Sequence, residues 1–229
     1  MNAKLLRPAV AELIGTALFV FVGAGTVVMT SLTPGAARGL EIAAAHGIAL
    51  AVLVSAVMNI SGGHLNPAVT LALFAARKVD GPTAGAYVGA QLVGAILAAA
   101  LIKWLFPPVA VSMANIGTPA LGAQVTLAQG IGIETVLTFL LMSVILGTAV
   151  SSQAPKVGGF AIGLAVFAGA LAGGSLTGAA LNPARAFGPA LVAMEFHGQA
   201  VYWIGPILGA TAAALLWKVI LLPKDQRGV

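Results

Sequence analysis

Apolar positions in this chain fall in long uninterrupted blocks separated by short polar or charged joints. A helix that crosses a bilayer needs about 20 mainly apolar residues. The blocks at 8–32, 39–60, 82–106, 127–151, 158–173 and 199–222 meet or approach that length, which predicts six spans. The joints carry turn chemistry or charge: Thr33-Pro34-Gly35, Arg77-Lys78-Val79-Asp80-Gly81-Pro82, Pro107-Pro108 and Gln153-Ala154-Pro155-Lys156. The fifth block is the shortest, and Gly173-Gly174 predicts its early end. The first block is too long for the core of a signal peptide, and no cleavage pattern follows it.

Two shorter apolar stretches, 67–76 and 183–194, remain. At about 1.5 Å per helical residue each reaches roughly half-way through a bilayer. Each follows the tripeptide Asn-Pro-Ala, in "SGGHLNPAVT" (61–70) and "TGAALNPARA" (177–186). Asn caps exposed backbone N–H groups, and Pro at the first helical position gives up no donor the helix needs. A single Asn-Pro says only that a helix starts. Two copies at matched places, each between a glycine-containing stretch and a half-length helix, say more. Non-helical backbone at membrane depth is tolerated only where it is buried in protein or lines a watery cavity. The stretches 61–65 and 177–181 are therefore expected to face a file of polar molecules.

Composition agrees with the membrane. Of 229 residues 59% are hydrophobic and 7% charged, against about 25% charged in a soluble domain. Cysteine is absent, so thiol and disulfide chemistry are excluded, and no residue cluster suggests a metal, a cofactor or an enzyme's catalytic set. The net charge of +5 comes from scattered basic residues, which gives no footprint for nucleic acid. With six spans, Lys4, Arg7, Arg77, Lys78, Lys156, Lys218, Lys224 and Arg227 fall on one side, and Arg38 and Lys103 towards the other. The positive-inside rule then places both termini in the cytoplasm and the loop 107–126 outside.

The halves repeat. Tyr87, Gly94 and Lys103 recur 115 residues later as Tyr202, Gly209 and Lys218, and Asn66 recurs 116 later as Asn182. Glu12 in "AELIGT" is echoed by Glu134 in "IETVLT". Three spans per half is an odd number, so the second copy enters from the opposite side and the repeats are inverted. The expectation is one channel-like domain over 1–229, with repeats at 1–106 and 127–229 joined by 107–126.

On these residues the chain resembles the aquaporins of the major intrinsic protein family. The resemblance rests on the six spans, the paired motifs "SGGHLNPAV" and "TGAALNPARAFGPAL", and a Glu in the first and fourth spans. It implies an all-α bundle of six transmembrane helices plus two re-entrant half-helices, a homotetramer in the lipid bilayer, and one pore per protomer. The half-helices Asn66-Pro67-Ala68 and Asn182-Pro183-Ala184 would meet at mid-membrane. The two asparagines would donate to one water there, and the positive helix ends would repel cations and protons. By the same resemblance the carbonyls of Gly63, His64, Leu65, Gly178, Ala179 and Ala180 would be acceptors along the pore. Glu12 and Glu134 are deep acids, which default to functional hypotheses. The resemblance implies that they hold the re-entrant loops through backbone hydrogen bonds, with Gln91 bonding loop backbone as well.

The family's narrow filter carries over by spacing onto His46, Ala170, Ala179 and Arg185. His46 resembles the plant vacuolar-membrane branch; the other reading is a histidine satisfied by backbone among packed helices. The two alanines imply a filter wider than in strict water channels, passing water and small neutral solutes such as ammonia, hydrogen peroxide and glycerol. His64 is expected to line the inner vestibule or to bond loop backbone, and His197 to be solvated. Glu41, Asp80, Glu195 and Asp225 are expected only to face water. Ala186 and Ala190 replace an acid and a base of glycerol facilitators, and Tyr202-Trp203 matches water channels, markers at the level of resemblance. A facilitator for glycerol or ammonia is the alternative. A secondary transporter is more remote, because it needs ion ligands that no spare carboxylate near the motifs supplies. Short loops and high alanine content point to a prokaryotic inner membrane, with an intracellular membrane as the alternative that the plant-like His46 carries.

Overall fold

The computed structural model describes residues 3–33, 35 and 38–223. Pro34 of the first joint, and Lys224, Asp225 and Arg227 beyond the last helix, lie outside the described residues, as does the Lys4 side chain. Among the described residues the regular structure is helical: α1 Ala3–Thr30, α2 Arg38–Ser61, α3 Pro67–Ala75, α4 Gly81–Leu105, α5 Pro108–Met113, α6 Leu127–Ile145, α7 Phe160–Thr177, α8 Pro183–Ala193 and α9 Val201–Leu216. The segments Leu5–Thr30, Arg38–Ser61, Gly81–Leu105, Leu127–Val150, Phe160–Thr177 and Val201–Leu221 are long and apolar enough to cross a membrane. The protein is thus a multi-pass membrane protein of six spans, and α3 and α8 are re-entrant half-helices.

Packing follows the repeat. α1 lies on α4 and α6 on α9, the same pair in each half, and α2 meets α7 across the pseudo-twofold axis. The half-helices are exchanged: α3 of the first half packs on α9, and α8 of the second packs on α4. Small residues permit this closeness. A Cβ at Gly94 would strike the Leu13 carbonyl, and one at its repeat mate Gly209 would strike the Thr135 carbonyl. Outward, Leu6, Val10, Ile14, Leu18 and Val22 form an exposed stripe of four-residue spacing on α1. Such a face is a liability in water and the natural one against lipid tails.

One feature departs from expectation and one adds to it. The fifth span does not stop at Gly173-Gly174; α7 runs on to Thr177 and ends at Gly178, whose φ is +80°. Gly173 serves packing: a Cβ there would lie 2.5 Å from a Leu137 methyl carbon. The loop 107–126 is not featureless. It holds α5 and a tight turn, Asn115–Gly117, in which all three residues are left-handed (φ +45°, +59° and +77°).

Candidate permeation site where the half-helices meet

Each re-entrant loop approaches the centre through the same backbone path. Gly62, Gly63 and Leu65 have positive φ (+89°, +64°, +48°), and so do Gly178, Ala179 and Leu181 (+80°, +44°, +51°), 116 positions on. Left-handed backbone is unfavourable for residues other than glycine, so something must hold Leu65, Ala179 and Leu181. Two fully buried carboxylates do so. Glu12 accepts from the His64 N–H (2.9 Å), the Leu65 N–H (2.6 Å) and the Ser61 hydroxyl (2.6 Å). Glu134 accepts from the Ala180 N–H (2.9 Å), the Leu181 N–H (2.8 Å) and the Thr177 hydroxyl (2.7 Å).

The anchors extend to residues to which the sequence assigns no anchoring role. Ser61 and Thr177, at the ends of α2 and α7, also accept from the Gly63 and Ala179 N–H groups, both at 3.1 Å. Tyr87 and Tyr202 donate their hydroxyls to the Ser61 and Thr177 carbonyls at 2.9 and 2.8 Å. Gln91 does not bond loop backbone as expected. Its amide donates to Glu12 (2.8 Å) and to the Thr70 hydroxyl (3.0 Å), because α4 presents it to the carboxylate rather than to the loop. His64 sits 3.0 Å from the Thr70 hydroxyl through Nδ1 and edge-on to Tyr87, and lines the inner cavity. Asp80 does more than face water: it caps α4, accepting from the Thr83 N–H at 2.7 Å. That bond holds its carboxyl below the usual range.

Asn66 and Asn182 cap α3 and α8. Their Oδ1 atoms accept from Ala68 (2.9 Å) and from Ala184 (3.0 Å) and Arg185 (3.3 Å). With the oxygen so placed, each amide nitrogen points at the other loop. Asn66 donates to the Leu181 carbonyl and Asn182 to the Leu65 carbonyl, both at 2.8 Å. Each half is therefore tied to the other by the asparagine of its motif. The Leu65 carbonyl, expected along the pore, thus accepts from Asn182 as its mate Leu181 accepts from Asn66; Leu181 lines the inner cavity and Leu65 lines neither.

Two cavities approach the centre. One of about 320 Å³, from the face that carries Lys78, is lined by Asn66, Asn182, Gly63, His64 and Ala180 within mostly apolar walls. The other, about 630 Å³, opens beside the 107–126 loop and is lined by His46, Ala170, Ala179 and Arg185 together with Gly117 and Gly178. The four residues expected at the filter thus share one cavity. His46 and Arg185 are buried and bonded to each other. The Nδ1 atom of His46 lies 2.8 Å from the Ile42 carbonyl, which can only accept, so Nδ1 carries the hydrogen. Nε2 is then the acceptor for the Arg185 Nε–H at 3.1 Å. The Arg185 Nη1 donates to the Gly117 carbonyl at 2.8 Å. One nitrogen of His46 is thus satisfied by backbone and the other meets the arginine, at the wall of the outer cavity.

Inverted repeats, two capped half-helices meeting at cross-tied asparagines, and cavities from both faces define a polytopic membrane protein of the channel kind. The chain belongs to the major intrinsic protein family, whose model matches residues 1–217. It is 42% identical over 229 residues to Aquaporin TIP4-4 of Zea mays, covering 96% of this chain and 89% of that protein. It is 40% identical over 228 residues to Aquaporin-5 of Mus musculus, covering 98% and 84%. The X-ray structure of the aquaglyceroporin from Plasmodium falciparum superposes with a TM-score of 0.83 at 22% identity, covering 95% of this chain and 97% of that one. At that identity the likeness establishes the fold alone.

Proposed function

We propose that this protein is a passive channel for water and small neutral solutes that excludes protons and ions, and no enzyme. The observation that carries the reading is the pair of asparagines lining one cavity at the N-termini of α3 and α8. Each amide group has two hydrogens, and one is committed to the opposite loop. The second of each is available to a passing oxygen. A water accepting both is turned so that its own hydrogens point along the file in opposite directions. It cannot accept from a neighbouring water, and the proton wire is interrupted. Each helix end adds roughly half a positive charge, and Arg185 adds a full one at the outer filter.

Ammonia, hydrogen peroxide and, more weakly, glycerol belong to the proposed solutes. Ala170 and Ala179 present only methyl groups where a larger side chain would narrow the filter. The same observation favours the second reading, a facilitator in which water is secondary. Stopped-flow measurements on proteoliposomes with water, ammonia, glycerol and urea decide between them. Water permeability no higher than in empty vesicles, with solute flux above them, would select the second reading.

The unit proposed is one channel domain over 1–229 with repeats 1–106 and 127–229, assembled as a homotetramer with both termini cytoplasmic. The TIP and Aquaporin-5 relatives come from plants and mammals, and so lend no support to a prokaryotic inner membrane.

A further inference from the structure

Arg185 is held by two neutral partners, His46 and the Gly117 carbonyl, and both rest on adjacent residues of α1. A Cβ at Gly23 would lie 2.5 Å from His46 Nε2, the atom that accepts from Arg185, and 2.6 Å from Cδ2. The imidazole occupies the room left by the missing side chain, with Phe19 edge-on to it at 5.8 Å between centroids. One residue further, Ala24 meets Gly117: a Cβ on Gly117 would lie 2.7 Å from the Ala24 carbonyl oxygen and 2.9 Å from its Cα. The left-handed turn Asn115–Gly117 brings the chain this close, with Ile116 buried beneath it. Left-handed backbone at residues other than glycine, here Asn115 and Ile116, persists only where its surroundings over-determine it. Neither Gly23 nor Ala24 lines either cavity.

We infer that the Gly23-Ala24 step of α1 is a positioning site for the filter arginine, acting through His46 on one side and the Gly117 carbonyl on the other. The step fixes two acceptors in space, and those acceptors fix the guanidinium. The role of Arg185 in selecting solutes rests on the channel reading above; its placement by α1 does not.

The test is Gly23→Ala, with Gly25→Ala as a size-matched control on the same helix. A Cβ at Gly25 meets only the edge of the Phe106 ring, at 3.0 Å. Two measurements are made on assembled protein. In the first, ¹⁵N-histidine solid-state NMR follows the His46 Nε2 resonance, assigned by comparison with Arg185→Val. Gly23→Ala is expected to move it in the direction that Arg185→Val does, and Gly25→Ala to leave it in place. In the second, the urea-to-water permeability ratio is expected to rise roughly tenfold in Gly23→Ala, the scale of one net hydrogen bond lost. In an Arg185→Val background the same substitution should change the ratio by less than about twofold, because residues acting through one another are not additive. An unmoved Nε2 resonance, or an equal rise in both backgrounds, overturns the inference. Should the wild type carry neither water nor urea while the resonance moves as stated, the channel reading falls and the positioning stands.

Discussion

The two loop anchors look equivalent but should not break equally when their charge is removed. The Glu134 carboxylate accepts the Thr177 hydroxyl and the Ala180 N–H on one oxygen and the Leu181 N–H on the other. Glutamine keeps one acceptor. With that oxygen on the Thr177 side, its amide nitrogen faces the Leu181 N–H, donor against donor. A buried N–H left unpaired costs about 1–3 kcal/mol, and two bonds falling from charge-assisted to neutral strength lose about 1 kcal/mol each. The sum is about 3–5 kcal/mol, offset in part because a buried carboxylate no longer has to be desolvated. Glu12→Gln suffers the same clash at Leu65 and a second one, because the oxygen lost there also accepts from the Gln91 Nε2 at 2.8 Å. If the Gln91 amide turns over, its Oε1 accepts from the new glutamine, but its Nε2 then takes the unpartnered place and leaves the Thr70 hydroxyl, whose own hydrogen is on the Asn66 carbonyl. A charge-assisted bond has become a neutral one, about 1 kcal/mol beyond the loss at Glu134. Thermal unfolding in detergent, followed by tryptophan fluorescence, reads the difference at roughly 2–4 °C per kcal/mol for a chain of this size. Glu134→Gln should melt on the order of 10 °C below wild type, and Glu12→Gln a few degrees further below. Both should show reduced water permeability with an unchanged order of solutes. If Glu134→Gln melts with wild type, or if Glu12→Gln is the less damaged, the hydrogen-bond account of the anchors is wrong.

The other expectations are more direct. Asn66→Asp and Asn182→Asp replace a donor facing a carbonyl at 2.8 Å with a carboxylate and offset the positive helix ends. Cation current under voltage clamp should rise above the wild-type background, and silence in both variants would count against the central barrier. Ala170→His should narrow the outer cavity, so that ammonia and glycerol fluxes fall while water persists; unchanged fluxes of all three would remove Ala170 from the constriction. Asp80 has its carboxyl held below the usual range by Thr83, so its cap stabilises α4 fully above the unfolded-state carboxyl pKa. That stabilisation disappears as pH falls through the depressed folded value. Asp80→Ala should therefore melt below wild type near neutrality, and the gap should close on strong acidification.

What the sequence carries about the site depends on whether a residue type is costly where it stands. Glu12 and Glu134 are legible because a carboxylate inside a span demands an explanation, and Asn-Pro-Ala is legible because it appears twice. Tyr87 and Tyr202 are visible as repeat mates, yet nothing in the sequence says that their hydroxyls reach the Ser61 and Thr177 carbonyls. Ser61 and Thr177 read from sequence only as the first residues of the non-helical stretches 61–65 and 177–181, whereas they end α2 and α7. Gly173-Gly174 reads as a break because glycine is a poor helix former, and only the Leu137 contact shows that it is a packing notch. The tie between each asparagine and the opposite loop is a long-range contact across 115 or 117 residues, which no local pattern encodes.

The repeat also explains why the proposed filter is one-sided. Counting back 116 positions, His46 pairs with Ile162, Ala170 with Val54, Ala179 with Gly63 and Arg185 with Val69. All four mates line the cavity on the opposite face. The pseudo-twofold axis therefore sets a ring of the same positions at each end of the path, polar beside the 107–126 loop and apolar near Lys78. The anchors have kept the same chemistry in both copies, Glu with Glu, Ser with Thr and Tyr with Tyr, because both loops must hold the same left-handed backbone. The His46 and Arg185 side chains hold no loop backbone in this way, and there the two copies differ, with Ile162 and Val69 as their mates. The loop 107–126 supplies Gly117 to the polar ring alone, since it joins the repeats and has no copy of its own. A buried arginine needs acceptors as well as space, and only the end of the path with that extra loop provides the second one.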